Sequence, residues 1–244
     1  MTWLLNEDRI SSGERLNQLI AAGCTKALTA GFASTPEESG GASTDAWYAV
    51  SYKPILVLFD QTRSIDAENP TALQTAWAQR KAMVASWLRG IPKTGLDRAA
   101  AGRLLRCELT LVGATLADDA FPEIDATIQR VDPGFPLRHL LGEANCVLNR
   151  TKTVRLASST KLLHFMLPEL VPIIDTNVSQ NLFGEETPSL GRYLEYVGLL
   201  RAYLREGEHR EVLFELARQH GVSPVRLVDS FLFRREAEDE LEDW

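Results

Sequence analysis

Residues 155–178 read Arg-Leu-Ala-Ser-Ser-Thr-Lys-Leu-Leu-His-Phe-Met-Leu-Pro-Glu-Leu-Val-Pro-Ile-Ile-Asp-Thr-Asn-Val. Ser158 or Ser159 is the expected cap of a short helix over 159–167, beginning near Thr160. Lys161 then falls in the first turn, where the positive end of the helix dipole makes a cation unusual. Pro168 ends that helix, and Pro172 stiffens the connection that follows. Asp175 stands where the next helix opens, a favoured place for an acceptor side chain. A short helix and a tight turn therefore bring an amine and a carboxylate, fourteen positions apart in the chain, to one side of the fold.

Working outward, helical periodicity dominates. Glu14–Thr29 carries Leu16, Leu19, Ile20 and Ala27 on one face, with Ser11 and Ser12 as caps. Thr71–Arg89, Leu96–Ala117, Leu137–Leu148, Asp175–Leu182, Leu190–Arg205, His209–His220 and Pro224–Arg235 read as further helices. Strand-type alternation is scarce. The run Ile55–Phe59 is short and wholly apolar, so it reads equally as a buried strand or as part of a helix. The expected fold is mostly α, one helical core over 1–235, with a small strand element near residue 55 as the one exception. Residues 34–45 form a flexible loop. Pro122, Pro133 and Pro136 mark 118–137 as the place where sub-domains would divide, and 236–244 form an acidic tail.

Composition limits the function classes. The 244 residues are 45% hydrophobic and 24% charged, with a net charge of −7, the balance of a globular protein. No apolar run reaches the roughly 18–20 residues of a membrane helix. Met1–Arg9 lacks the basic-then-apolar pattern of a secretory signal. Cys24, Cys107 and Cys146 are widely spaced, as expected of reduced thiols in a cytoplasm. His139, His164, His209 and His220 have no metal-ligand spacing with them, and no metal or cofactor is expected. Neither a dinucleotide-binding glycine motif nor a phosphate-binding loop occurs. Against the acidic whole, Arg138, Arg150, Lys152, Arg155 and Lys161 face a single acid, Glu143, within 138–161. Such a basic face on an acidic protein can meet phosphates.

The lysine–proline–aspartate arrangement resembles the helix–hairpin–helix DNA glycosylase superfamily, in particular its 8-oxoguanine-glycosylase-like branch. Thr160-Lys161 is similar to the end of that hairpin, and Val171–Val178 to its proline–aspartate turn. The segment Ser223–Phe233 resembles the closing helix of bacterial proteins with a similar core, so the likeness extends over 137–233. The resemblance implies a cytoplasmic, monomeric enzyme that acts on double-stranded DNA in base excision, for repair or for antiviral defence. It implies Asp175 as the carboxylate that stabilises positive charge on the sugar as the base departs. Lys161 is implied as an amine able to attack C1′, adding lyase activity. Arg150, Lys152, Arg155 and the amide of Ser159 would meet phosphates, while His164 and Phe165 would line a base pocket, with Trp77, Trp87, Phe183 and Tyr193 also available.

Two other classes compete. Residues 211–233, with Gly221 as the turn, resemble a helix-turn-helix, which would make the chain a non-catalytic DNA-binding regulator. The net negative charge is compatible with a protein-interaction module that binds no nucleic acid.

Overall fold

Ser11 opens the first helix: its Oγ accepts the Glu14 N–H at 3.2 Å, and α1 (Ser12–Ala30) follows. The computed structural model describes residues 10–30, 44–88, 95–117, 135–148 and 153–233. On α1, Leu16, Leu19, Ile20 and Cys24 recur at helical spacing and are buried. The expected loop at 34–45 lies almost wholly outside the described residues, as does the acidic tail.

The apolar run at 55–59 belongs to α2 (Thr44–Gln61), which contains Pro54. The expected strand element near residue 55 is thus corrected to helix. Tyr52, Ile55 and Phe59 lie three and four residues apart and are buried, while Val57 between them is 53% exposed. A core on one side of the element selects the helical period over the strand period. Among the described residues there are ten helices and no strand.

Asn69 Oδ1 accepts the amides of Thr71 and Ala72, both at 3.1 Å, and Pro70 occupies the first position of α3 (Pro70–Ala85). Asp97 Oδ1 accepts the Ala100 amide at 3.0 Å and opens α4 (Arg98–Leu111). Both helices are shorter than their expected ranges. A buried arginine ties these elements together. Arg80 donates to Glu108 Oε2 at 2.6 Å, to Thr62 Oγ1 at 2.7 Å and to the Phe59 carbonyl at 2.9 Å. Its guanidinium also lies over the Phe59 and Trp77 rings. Arg103 holds Glu143 with two bonds, at 2.7 and 2.8 Å, and so joins α4 to α5 (Phe135–Leu148).

The remaining helices are α6 (Leu156–Met166), α7 (Thr176–Phe183), α8 (Leu190–Glu206), α9 (Arg210–His220) and α10 (Pro224–Phe233). Gly184 and Gly221 end α7 and α9 at φ 70° and 61°, the left-handed conformation that glycine adopts without a Cβ clash. Helices α2 to α6 pack in a closed round, each on the next and α6 back on α2; α1 packs on α7, α8, α9 and α10. One apolar core runs through both groups. The connection from α6 to α7, residues 167–175, passes between them.

Candidate active site

Helix α6 begins at Leu156, one turn earlier than the serines predict. Its N-cap is Arg155, whose side chain makes no capping bond, while its amide donates to Asn145 Oδ1 at 3.1 Å. The expected cap at Ser158 or Ser159 is therefore corrected. Ser159 lies inside the helix, 0% exposed, with its amide bonded to the Arg155 carbonyl at 2.9 Å. That amide is already used and does not face an incoming phosphate. The earlier start also moves Lys161 from the first turn to the second.

After Pro168 the chain turns, and side chains from three helices satisfy its backbone. His164 Nδ1 donates to the Val171 carbonyl at 2.7 Å, and Tyr193 Oη to the Pro172 carbonyl at 3.1 Å. The Ile173 amide donates to Asp229 Oδ2 at 2.9 Å. Thr160 Oγ1 serves both polar groups of Ile174, accepting from its amide at 3.3 Å and donating to its carbonyl at 3.4 Å. Buried backbone polar groups require partners: the Leu170 and Val171 amides donate to the Leu167 carbonyl, both at 3.0 Å, and from the Val171 carbonyl to Ile174 the partners named above are side chains in place of a helix or sheet ladder. The turn is thereby held in one conformation.

Asp175 follows directly and caps α7. Its Oδ1 accepts the amides of Asn177 at 3.1 Å and Val178 at 3.2 Å. Its second oxygen, Oδ2, stands 3.4 Å from Lys161 Nζ, with the two side chains 13% and 14% exposed. The expected meeting of amine and carboxylate is therefore present, on adjoining helices and in partial contact with solvent. Chemically, the pair offers one carboxylate anchored through Oδ1 whose Oδ2 meets a cation. Such an oxygen can stabilise positive charge on a reacting carbon or accept a proton.

The other expected residues are placed differently. His164 is fully buried, and its Nε2 accepts from Tyr52 Oη at 2.8 Å. Burial, reinforced by the nearby Arg226 charge, holds its imidazole down to about 3, so it is neutral at pH 7. Phe165 is 1% exposed and packs edge-on against Trp87, with ring centroids 5.1 Å apart, and against Tyr52 and Phe59. His164 and Phe165, expected to line a base pocket, are thus both placed in the buried core. Trp77, Trp87 and Tyr193 are likewise buried. Arg155 is exposed. Arg150 and Lys152 lie outside the described residues.

A cleft of about 240 Å³ opens beside the start of α6, lined by Arg138, Leu141, Val154, Leu156, Pro188, Ser189 and Leu190. Lys161 and Asp175 are not among its walls. The proposed recognition helix of the regulator reading, α10, is buried at Val225, Arg226, Leu227, Val228, Asp229, Phe231 and Leu232. Its remaining residues, Pro224, Ser230 and Phe233, are half-buried.

Sequence reasoning did not assign Thr160, Tyr193 and Asp229 to holding the turn, nor Tyr196 to holding Asp229. Asp229 had a visible signal, a lone acid in the apolar run 225–233. A carboxylate on a core-facing helix side needs buried donors, and Ile173 and Tyr196 supply them, the latter at 2.8 Å. Among the described residues no group of three histidine, cysteine, aspartate or glutamate side chains stands ready for a metal ion. None of the helices described is long and apolar enough to cross a membrane. No protein-family model matches the chain, and neither a curated protein nor a solved structure does.

Proposed function

We propose that the chain is a DNA N-glycosylase of the helix–hairpin–helix kind, acting as a cytoplasmic monomer that turns a modified base out of duplex DNA and cuts its bond to the sugar. One observation carries this reading: Asp175 directs Oδ2 toward Lys161 at 3.4 Å while Oδ1 stays bound to the start of α7. As the base departs with the bonding electrons, C1′ becomes cationic, and Asp175 Oδ2 stabilises it. Water adds to C1′ through oxygen and gives up a proton, and the departing base is protonated. Lys161 provides the alternative nucleophile. Its ammonium must first lose a proton to solvent, while Asp175 stays ionised; the amine nitrogen then bonds to C1′ as the base leaves with the electrons of the broken bond. The base must leave the stack beforehand.

The DNA backbone would follow the basic side of α6. Arg155 is exposed there, Arg138 lies on the cleft wall, and Arg150 and Lys152 occupy the intervening segment of sequence. Repair of damaged bases and antiviral removal of modified viral bases use the same chemistry. The test is a set of duplexes, each with one altered base, scored for abasic sites after incubation with the purified protein. Base release from one duplex and not from its unaltered control is the expected result; no release from any would end the reading.

A further inference from the structure

Thr160 and Asp229 grip consecutive residues of the turn from different helices. Thr160, on α6, holds both polar groups of Ile174 and immediately precedes Lys161. Asp229, on α10, holds the amide of Ile173, which is 4% exposed. Asp175 is the next residue after Ile174. Its distance from Lys161 is therefore set by two grips, one built into the helix that carries Lys161 and one reaching across the core. We propose that Asp229 is the positioning residue of the Lys161–Asp175 pair, fixing Asp175 from behind through the Ile173 amide. This rests on the reading of that pair as a glycosylase site.

The surroundings of Asp229 make its grip dependent on its ionisation. The carboxylate is 1% exposed and accepts from both Ile173 N–H and Tyr196 O–H. Burial pushes its carboxyl up to about 7, opposed by the Arg226 charge and by its two donors and assisted by the Asp175 charge. The other titratable groups around it keep one form near neutrality. His164, whose Nδ1 lies 3.9 Å away, is held neutral. Tyr52, Tyr193 and Tyr196 are all raised by burial and keep their protons. An ionised Asp229 accepts two hydrogen bonds from its neighbours at full strength. Once protonated, it must place a hydrogen on one oxygen, and its hold on the amide weakens to that of a neutral acceptor.

The experiment uses the full chain without DNA and reads the pair directly, by amide exchange at Val178 and by labelling of Lys161 with an amine reagent at pH 8. Asp229→Asn is expected to speed both several-fold, because its neutral amide is a weaker acceptor. Tyr196→Phe, which removes the phenol bond and leaves the Ile173 bond in place, is expected to speed both by less than Asp229→Asn does. Equal values in wild type and a folded Asp229→Asn, or an equal rise in Tyr196→Phe, would overturn the proposal. Should Asp229→Asn not fold, wild type is titrated by NMR. The Val178 amide shift is expected to follow the Asp229 carboxyl through its midpoint near 7, and a flat Val178 shift would overturn the proposal. None of these readouts requires base release, so a chain inactive on every duplex would remove the glycosylase reading and leave the positioning result to stand or fall on its own.

Discussion

Lys161 Nζ and Asp175 Oδ2 are 3.4 Å apart, joined by a turn whose residues 172–174 are held by the side chains of Tyr193, Asp229 and Thr160. The same aspartate caps α7, so one side chain serves both the fold and the candidate chemistry. The two uses can be separated. Asparagine caps a helix about as well as aspartate, but it brings no charge. Asp175→Asn is expected to keep stability within about 1 kcal/mol of wild type and to retain DNA binding, while base release is lost. Abasic-site formation together with urea unfolding measures both, and unimpaired release in this variant would end Asp175's role.

Lys161 has a separate test. Borohydride added during reaction with a cleavable duplex traps a Schiff base as a covalent protein–DNA adduct. An adduct is expected in wild type and none in Lys161→Gln. Base release without any adduct in wild type would mean that water is the nucleophile and that Lys161 serves only as Asp175's partner.

Arg80 and Glu108 are 1% and 0% exposed and meet at 2.6 Å. Replacing Glu108 with glutamine leaves Arg80 charged in the core without a matching carboxylate. A loss of about 3–5 kcal/mol is expected on breaking such a pair, read as a lower urea midpoint. Arg63 also reaches Glu108, at 3.3 Å, so this substitution should harm stability more than Arg63→Gln.

Gly23 marks the contact between α1 and α10. A Cβ at this position would overlap the Phe231 ring, and the ring belongs to the packed core. Gly23→Ala is expected to destabilise by about 1–3 kcal/mol, despite alanine's better helix propensity. Adding Phe231→Leu should restore part of the loss, which thermal unfolding of the single and double variants would reveal.

The buried acid and the buried imidazole act oppositely on stability as pH changes. His164 falls from 6.5 to about 3 on folding, so the unfolded chain binds its proton first and stability is lost as pH drops below 6.5. Asp229 rises from 3.8 to about 7, so the folded chain keeps its proton and stability is lost as pH climbs from 4 toward 7. Between about pH 4 and 6.5 the two slopes cancel, and wild type should be nearly flat with respect to these groups. Asp229→Asn leaves the His164 slope alone, a gain of about 1.4 kcal/mol per pH unit over that window. His164→Gln leaves the opposite slope. Urea unfolding across the range would distinguish the three, and parallel curves would contradict the assignment.

The helical class, the apolar face of α1 and the cap at Asp175 were legible in the residues because each is local: a 3.6-residue period, or an acceptor beside open amides. The approach of Lys161 to Asp175 was legible for the same reason, since only fourteen positions and two prolines separate them. The start of α6 was not legible, because Ser158 and Ser159 have capping chemistry and only the packing of α6 on α5 and α2 turned Ser159 inward. Residues 55–59 suit strand or helix equally, and the buried line of Tyr52, Ile55 and Phe59 decided between them. His164 and Phe165 look like ligand-binding types until the core closes over them. The grip of Asp229 on Ile173 spans 56 positions and follows no period. Partners so distant in the chain are chosen by which helices pack together and by the need to satisfy each buried polar group once they have.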